Sequence, residues 1–283
     1  MHSYYYEKER SEKDFFTDLA SERRKADEKC DGIEYERSPA LVGEWERVRI
    51  TTEEGERAIM RPIGDYDTLT LDRLDKLSED ELCDAKEELS RRLCSIFDEN
   101  GIFPGRILVI GFGNERLTAD SVGPKSARAV RPTLHVSEHE PLLFDELGCS
   151  EIAILCPTVP AMTGLDSADT ARALCERLLP DAVIAIDSIS TRSTERLGTT
   201  IQLSSTGLFP GGIGGLSRPI TKSTMGAPVI AIGVPTVTDV KAISKDSDFE
   251  DVLYVSPREI DEITDNAALV IGGAINQAFG LDL

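Results

Sequence analysis

The chain has 283 residues, with 51 acidic side chains against 31 basic ones and a net charge of −20. That balance excludes a phosphate-binding face of clustered Lys and Arg, so no direct nucleic-acid contact is expected, and it opposes docking on anionic lipid. No apolar run reaches the roughly 18 residues needed to cross a bilayer. The polar stretch Met1–Arg10 is unlike a secretory signal. The six cysteines (Cys30, Cys83, Cys94, Cys149, Cys156 and Cys175) are scattered without a C-x-x-C pair, which reads as reduced thiols in a cytoplasmic compartment, with no disulfide frame and no Cys-based zinc site.

Charge density falls along the chain. Residues 1–100 carry 28 acids and 17 bases, and residues 101–283 carry 23 acids and 14 bases. The apolar core is therefore expected mainly within 101–283. Residues 1–18 read as a mobile, propeptide-like segment ahead of a single domain spanning 19–283. Trp45–Ile50 and Arg57–Arg61 alternate enough to suggest an outlying hairpin. Ser78 and Glu81 form an S-x-x-E capping box ahead of a helix to Phe97, with Leu82, Ala85, Leu89, Leu93 and Ile96 on one face. Asn100-Gly101 ends it.

Beyond Gly101 the pattern alternates between strand and helix. Arg106–Gly111, Ile152–Cys156, Ala182–Asp187 and Pro228–Ile232 are short, nearly continuous apolar runs of the kind buried on both faces of a parallel sheet. Between them Pro124–Val130 and Ser167–Leu179 read as helices. A second S-x-x-E box, Ser256 to Glu259, is expected to open a last helix, with Ile260, Ile263, Ala267, Val270, Ile271, Ala274 and Ala278 inward. The fold class is α/β: a three-layer sandwich around a mostly parallel sheet, with a small N-terminal β/helical extension.

In such sheets functional groups gather beyond the carboxyl ends of the strands. There the sequence offers Gly111-Phe-Gly-Asn114, continuing to Asp120, and Asp187 at the end of five apolar residues. If Asp120 and Asp187 converge, burial and mutual repulsion raise their pKa values, and the pair can share a proton and activate a water. Asp residues at strand ends also cap turns and helices. Asn114 is either an oxyanion donor or a turn residue bonding its own backbone. Gly111–Arg116 lacks the third glycine of a dinucleotide loop, Pro210–Gly215 has no Lys-Ser/Thr of a P-loop and reads as a tight turn, and His135 and His139 do not form H-E-x-x-H. No cofactor and no resident metal are expected.

These residues resemble the germination protease family of spore-forming bacteria. The blocks that carry the likeness run in order: Thr17-Asp-Leu-Ala20, Gly111-Phe-Gly-Asn114 with Thr118–Pro124, Met162-Thr-Gly-Leu-Asp166, Val183–Asp187 with Arg192–Arg196, Thr199–Gln202, Thr206–Gly211, Ile232–Val237 with Asp239, and Val255–Glu262. The chain departs from the family pattern in a shortened stretch between Asp239 and Val252, in Ser205, in Gly214-Gly215, in Pro157–Met162 and in Glu138.

The resemblance implies an atypical aspartic endopeptidase on a fold shared with hydrogenase-maturation peptidases. It implies Asp120 and Asp187 as the catalytic carboxylates, small acid-soluble spore proteins as substrates, a zymogen, a homotetramer and a place in the forespore or spore core. Family substrates are cut after an acid and before an apolar-Ala-Ser-Glu stretch, so cleavage is expected between Asp18 and Leu19. Arg192, Arg196 and Arg218 are candidates for reading the substrate's acids, since Arg holds a carboxylate through two hydrogen bonds; each has a surface salt bridge as its alternative role. Two rivals stand beside this reading. One is a maturation-type peptidase recognising nickel through Asp120, Asp187 and a histidine such as His139. The other is a scaffold that binds peptides without cutting them.

Overall fold

The computed structural model describes residues 17–23, 31–209, 218–243 and 253–281. Residues 1–16, the Pro210–Gly215 loop and the stretch from 244 to 252 lie outside the described residues.

The apolar runs of the sequence form the middle of one sheet. In chain order its strands are β1 (Ile33–Pro39), β2 (Glu44–Ile50), β3 (Gly64–Thr70), β4 (Arg106–Gly111), β5 (Glu151–Leu155), β6 (Ala182–Thr191), β7 (Thr200–Ser204), β8 (Val229–Asp239) and β9 (Tyr254–Val255). The spatial order is β1-β2-β3-β7-β8-β6-β4-β5, and β9 pairs with the end of β8. The strands β5, β4, β6 and β8 are parallel neighbours. Ile107–Ile110 and Val183–Ile186 are wholly buried, because helices cover both faces there.

One face carries a large cluster beneath the helices Glu79–Glu99, Val122–Ala129 and Ile260–Ala278. The opposite face carries a smaller cluster that includes Ala168, Ala171 and Cys175 of the Ser167–Leu178 helix. These are the three layers. Each large aliphatic side chain so enclosed contributes about 1.5–3 kcal/mol.

The N-terminal part continues the same sheet. Strands β1, β2, β3 and β7 run antiparallel and join the parallel half through β7 against β8. Accordingly Trp45, Leu69, Leu74, Leu89 and Leu93 belong to the main core, which is not confined to residues after Gly101. The hairpin expected from Arg57–Arg61 is a correction: β2 pairs with β1 and β3 instead. Glu53–Ile59 is a helix whose N-cap Thr52 accepts from the Gly55 N–H, with Glu53, Glu54 and Glu56 in its first turn. Acids there favour the helix because its N-terminus carries partial positive charge.

The Ser78 capping box forms as expected, the Ser78 hydroxyl accepting from the Glu81 N–H and Glu81 accepting from the Ser78 N–H. Ser78→Ala is expected to cost about 1 kcal/mol in a urea unfolding titration. An unchanged midpoint would show that packing against Ile260–Ala278 alone holds the helix. The second box does not form. The last helix starts at Ile260, with Glu259 itself at the N-cap and no side-chain cap, and the Glu259 carboxylate pairs with Arg73 at 3.1 Å.

Candidate active site

Parallel neighbours deliver their carboxyl ends to one edge. In register, Gly111 of β4 stands beside Ile186 of β6, and Asp187 stands beside Gly233 of β8. Beyond β4 the chain makes a tight loop that returns Asp120 towards Asp187. Gly113 permits the return: its φ is +117°, and a Cβ there would lie 2.2 Å from the Asp120 carbonyl oxygen. The loop is fastened by the Asn114 N–H to the Asp120 carbonyl at 2.9 Å. The buried Thr236 hydroxyl of β8 donates to the Ala119 carbonyl at 2.6 Å.

Asp120 and Asp187 line one pocket of about 290 Å³. Its walls include Phe112, Leu117, Leu208 and Ile220, so each carboxylate faces largely apolar surroundings. Burial pushes Asp120 up to about 6, partly offset by the Asn114 backbone N–H. Asp187 is held well above the ordinary carboxylate range, first by burial and then by the negative charge of Asp120, with a smaller push from Asp18. Against this, the Ser188 N–H donates to Asp187 at 2.8 Å. Two carboxyls that disfavour each other's ionisation share a proton readily. The Ser188 hydroxyl, buried in the same wall, has no hydrogen-bond partner among the described residues.

A third acid enters the pocket from the N-terminal segment. Thr17, Leu19 and Ala20 are fully buried, so these residues are packed against the body of the protein. The Asp18 N–H donates to the Ser190 carbonyl at 3.0 Å. The Asp18 carboxylate accepts from the Ser190 N–H at 2.9 Å and the Ser190 hydroxyl at 3.0 Å, and Arg61 pairs with it at 3.3 Å. Four residues on, Glu22 accepts from the Thr191 hydroxyl, from the Arg192 N–H at 2.8 Å and from the Ser193 N–H at 3.3 Å. Both acids are thus received by the end of β6 and the two residues that follow it.

The structure distributes the expected site residues unevenly. Asp120, Asp187, Asp18 and Arg218 line the pocket, and Leu19 follows Asp18 into the interior. Asn114 is in the adjoining turn, where its side-chain oxygen accepts from the Arg116 N–H at 3.0 Å. Arg196 is engaged by buried Glu46 at 2.8 Å and Arg218 by Asp169 at 2.8 Å. Arg192 meets Glu22 through its backbone N–H. His139 is on the Leu134–His139 helix, bonded to the His135 carbonyl, away from the pocket lining.

Sequence reasoning missed Arg61 and Ser190. Arg61 follows Met60, whose positive φ of 51° ends the preceding helix and turns the chain so that the guanidinium reaches Asp18. A local bend of that kind leaves no periodic signal in the sequence.

The carboxyl pair, at the carboxyl ends of the parallel strands and beside the packed Thr17–Arg23 segment, can share a proton and activate a water. A family model described as germination protease matches residues 11–254. The chain belongs to the germination protease family and is a peptidase of protein substrates.

Among similar proteins, a germination protease of Caldanaerobacter subterraneus subsp. tengcongensis is 35% identical over 82% of this chain and 83% of its own length. One of Bacillus pumilus is 35% identical over 78% of this chain and 60% of its own. One of Clostridium perfringens strain SM101 is 29% identical over 93% of this chain and 94% of its own. Among solved structures, a NiFe hydrogenase maturation protease, HycI, from Thermococcus kodakarensis KOD1 matches 65% of this chain and 99% of that chain at 17% identity, with a TM-score of 0.36. Among the described residues no helix is long and apolar enough to cross a membrane.

Proposed function

We propose that this chain is an aspartic-type endopeptidase that degrades small acid-soluble spore proteins during germination, and that it is made as a zymogen cut between Asp18 and Leu19. The observation that carries the reading is the pairing of Asp120 and Asp187 in one pocket, with both pKa values raised by burial and that of Asp187 raised further by its neighbour's charge.

The mechanism follows from this inequality. Asp120 gives up its proton first, because it is less enclosed. As carboxylate it takes a proton from a water held between the two groups, and the resulting hydroxide attacks the scissile carbonyl. Asp187, still protonated, donates to the leaving nitrogen as the C–N bond breaks. The product carboxylic acid and amine leave, and the protons on the two carboxyls are exchanged back through solvent. The unpartnered Ser188 hydroxyl is available beside the reacting atoms for the oxyanion.

The zymogen reading is supported by the sequence Thr17–Arg23, an acid followed by Leu-Ala-Ser-Glu, and by the docking of Asp18 beside the carboxylate pair. Incubating the purified protein with an acidic small spore protein, followed by mass spectrometry of the fragments, tests the substrate. Cuts after acidic residues are expected; intact substrate retained as a complex would favour the non-cutting scaffold. N-terminal sequencing of matured protein is expected to begin at Leu19, and a different first residue would reject the assigned processing site. On the same reading the protein acts in the spore interior as a homo-oligomer, a tetramer by resemblance, which light scattering of the purified chain tests.

A further inference from the structure

Asp18 and Glu22 are received in a way that exceeds what anchoring a charged segment requires. The Asp18 carboxylate has the Ser190 N–H and hydroxyl on one oxygen and Arg61 on the other. The Glu22 carboxylate is ringed by the Thr191 hydroxyl, the Arg192 and Ser193 N–H groups and the Thr17 hydroxyl. Successive backbone N–H groups converging on one carboxylate form an anion-binding concavity, and hydrogen bonds to a charged acceptor are the stronger kind.

Between the two acids, Leu19 and Ala20 are wholly buried. The Ala20 methyl is wholly buried among Val48, Ile50, Ile59 and Tyr66, and the Ala20 N–H is fixed by the Gln202 side-chain oxygen at 3.0 Å.

We infer that these two cradles are specificity-determining subsites for peptides acting in trans: Ser190 with Arg61 reads an acid immediately before the cut, and the Thr191–Ser193 nest reads an acid four residues beyond it. The assignment rests on the proposed cut between Asp18 and Leu19, with Thr17–Arg23 standing in for a substrate. It replaces Arg196 and Arg218 as the readers of acidic side chains, since they pair with Glu46 and Asp169, and it gives Arg192 a part through its backbone N–H. An incoming protein must displace this segment, so the same contacts set both how firmly the segment docks and how strongly substrate is selected.

The test uses the full chain after its proposed processing, unaltered or singly substituted, with a synthetic peptide copying residues 11–29 in which one acid is changed at a time. On the unaltered protein, Asp18→Asn and Glu22→Gln in the peptide are each expected to lower kcat/KM by about 10- to 100-fold, the range expected when a hydrogen-bonded charge is lost. In Thr191→Val protein the penalty for the peptide's Glu22→Gln is expected to shrink several-fold, while that for Asp18→Asn persists. In Arg61→Met protein the pattern reverses. Arg61 is nearly buried, so Ser190→Ala, which removes a donor to the same carboxylate, serves as the second variant. Equal penalties on every protein would overturn the subsites while leaving the peptidase reading intact. No cleavage of the unaltered peptide by the processed, unaltered protein would overturn the proposed cut itself, and the subsites with it.

Discussion

Asp187→Asn is expected to lower peptide-cleaving kcat/KM by at least about 1,000-fold while the chain keeps its fold. Asparagine has nearly the same shape as aspartate and still accepts from the Ser188 N–H that now holds Asp187. What it lacks is a proton to give to the leaving nitrogen. General acid–base help of this kind is worth about 100- to 10,000-fold, and losing one member also strands the other. Asp120→Asn is expected to be as inactive.

The same substitutions carry an opposite prediction for stability. Asp120 has a pKa of about 6 in the folded chain against an ordinary value of 3.8. The folded state therefore holds its proton where the unfolded state has lost it. This group's contribution to stability is full below about pH 4, declines as pH rises to about 6, and is flat above that. At 1.36 kcal/mol per unit, Asp120→Asn removes a cost of up to about 3 kcal/mol above pH 6 and none at pH 4. Urea titrations at pH 4 and pH 7.5, with and without the substitution, read that difference. The pair also predicts a bell-shaped kcat/KM, rising as the first carboxyl ionises near 6 and falling when the second follows at higher pH. Either variant retaining full activity would reject the carboxylate pair as the catalyst.

The parallel half of the fold was legible because its strands are buried on both faces. Ile107–Ile110 and Val183–Ile186 have no polar residue to break the run, and the helices between them carry plain apolar stripes. The antiparallel half was obscured by charges that sit inside it. Glu46 and Asp67 are buried in the sheet and paired with Arg196 and Arg92. A strand such as Gly64–Thr70, which carries Asp65 and Asp67, therefore shows no continuous apolar run. Ion pairs formed between distant elements cannot be inferred from either element alone.

The site divides in the same way. Asp187 was visible as an acid at the end of an apolar strand, and Asp120 as an acid in the loop beyond another. Arg61 and Ser190 acquire their role only when the N-terminal segment is laid beside β6.

Gly123→Ala is expected to destabilise the chain by about 3 kcal/mol and to lower activity by more than about 100-fold, although this residue touches no substrate. The Val122–Ala129 helix starts directly above the ends of β4 and β6. A Cβ on Gly123 would lie 2.1 Å from the Phe112 carbonyl oxygen and 2.5 Å from that of Ile186. Those are backbone atoms fixed in the sheet, with the Phe112 N–H donating to the Ile186 carbonyl at 2.8 Å, so no side chain can swing aside. The approach is reciprocal, since a Cβ on Gly111 would meet the Gly123 carbonyl oxygen at 2.3 Å.

Relief requires the helix to move off the sheet, and overpacking of this kind costs about 1–3 kcal/mol, occasionally more. The helix starts two residues after Asp120, and Ile186 directly precedes Asp187, so the displacement separates the two carboxyls. A shift of about 1 Å at reacting groups is enough for a loss of about 100-fold. Gly101→Ala is the control. Its φ of +65° strains an alanine, but nothing lies within 4 Å of the added methyl; about 1 kcal/mol and unchanged activity are expected. Thermal unfolding and peptide cleavage of the two variants side by side separate crowding from backbone strain. Wild-type behaviour of Gly123→Ala would mean that the contact between helix and strand ends does not set the spacing of the carboxyls.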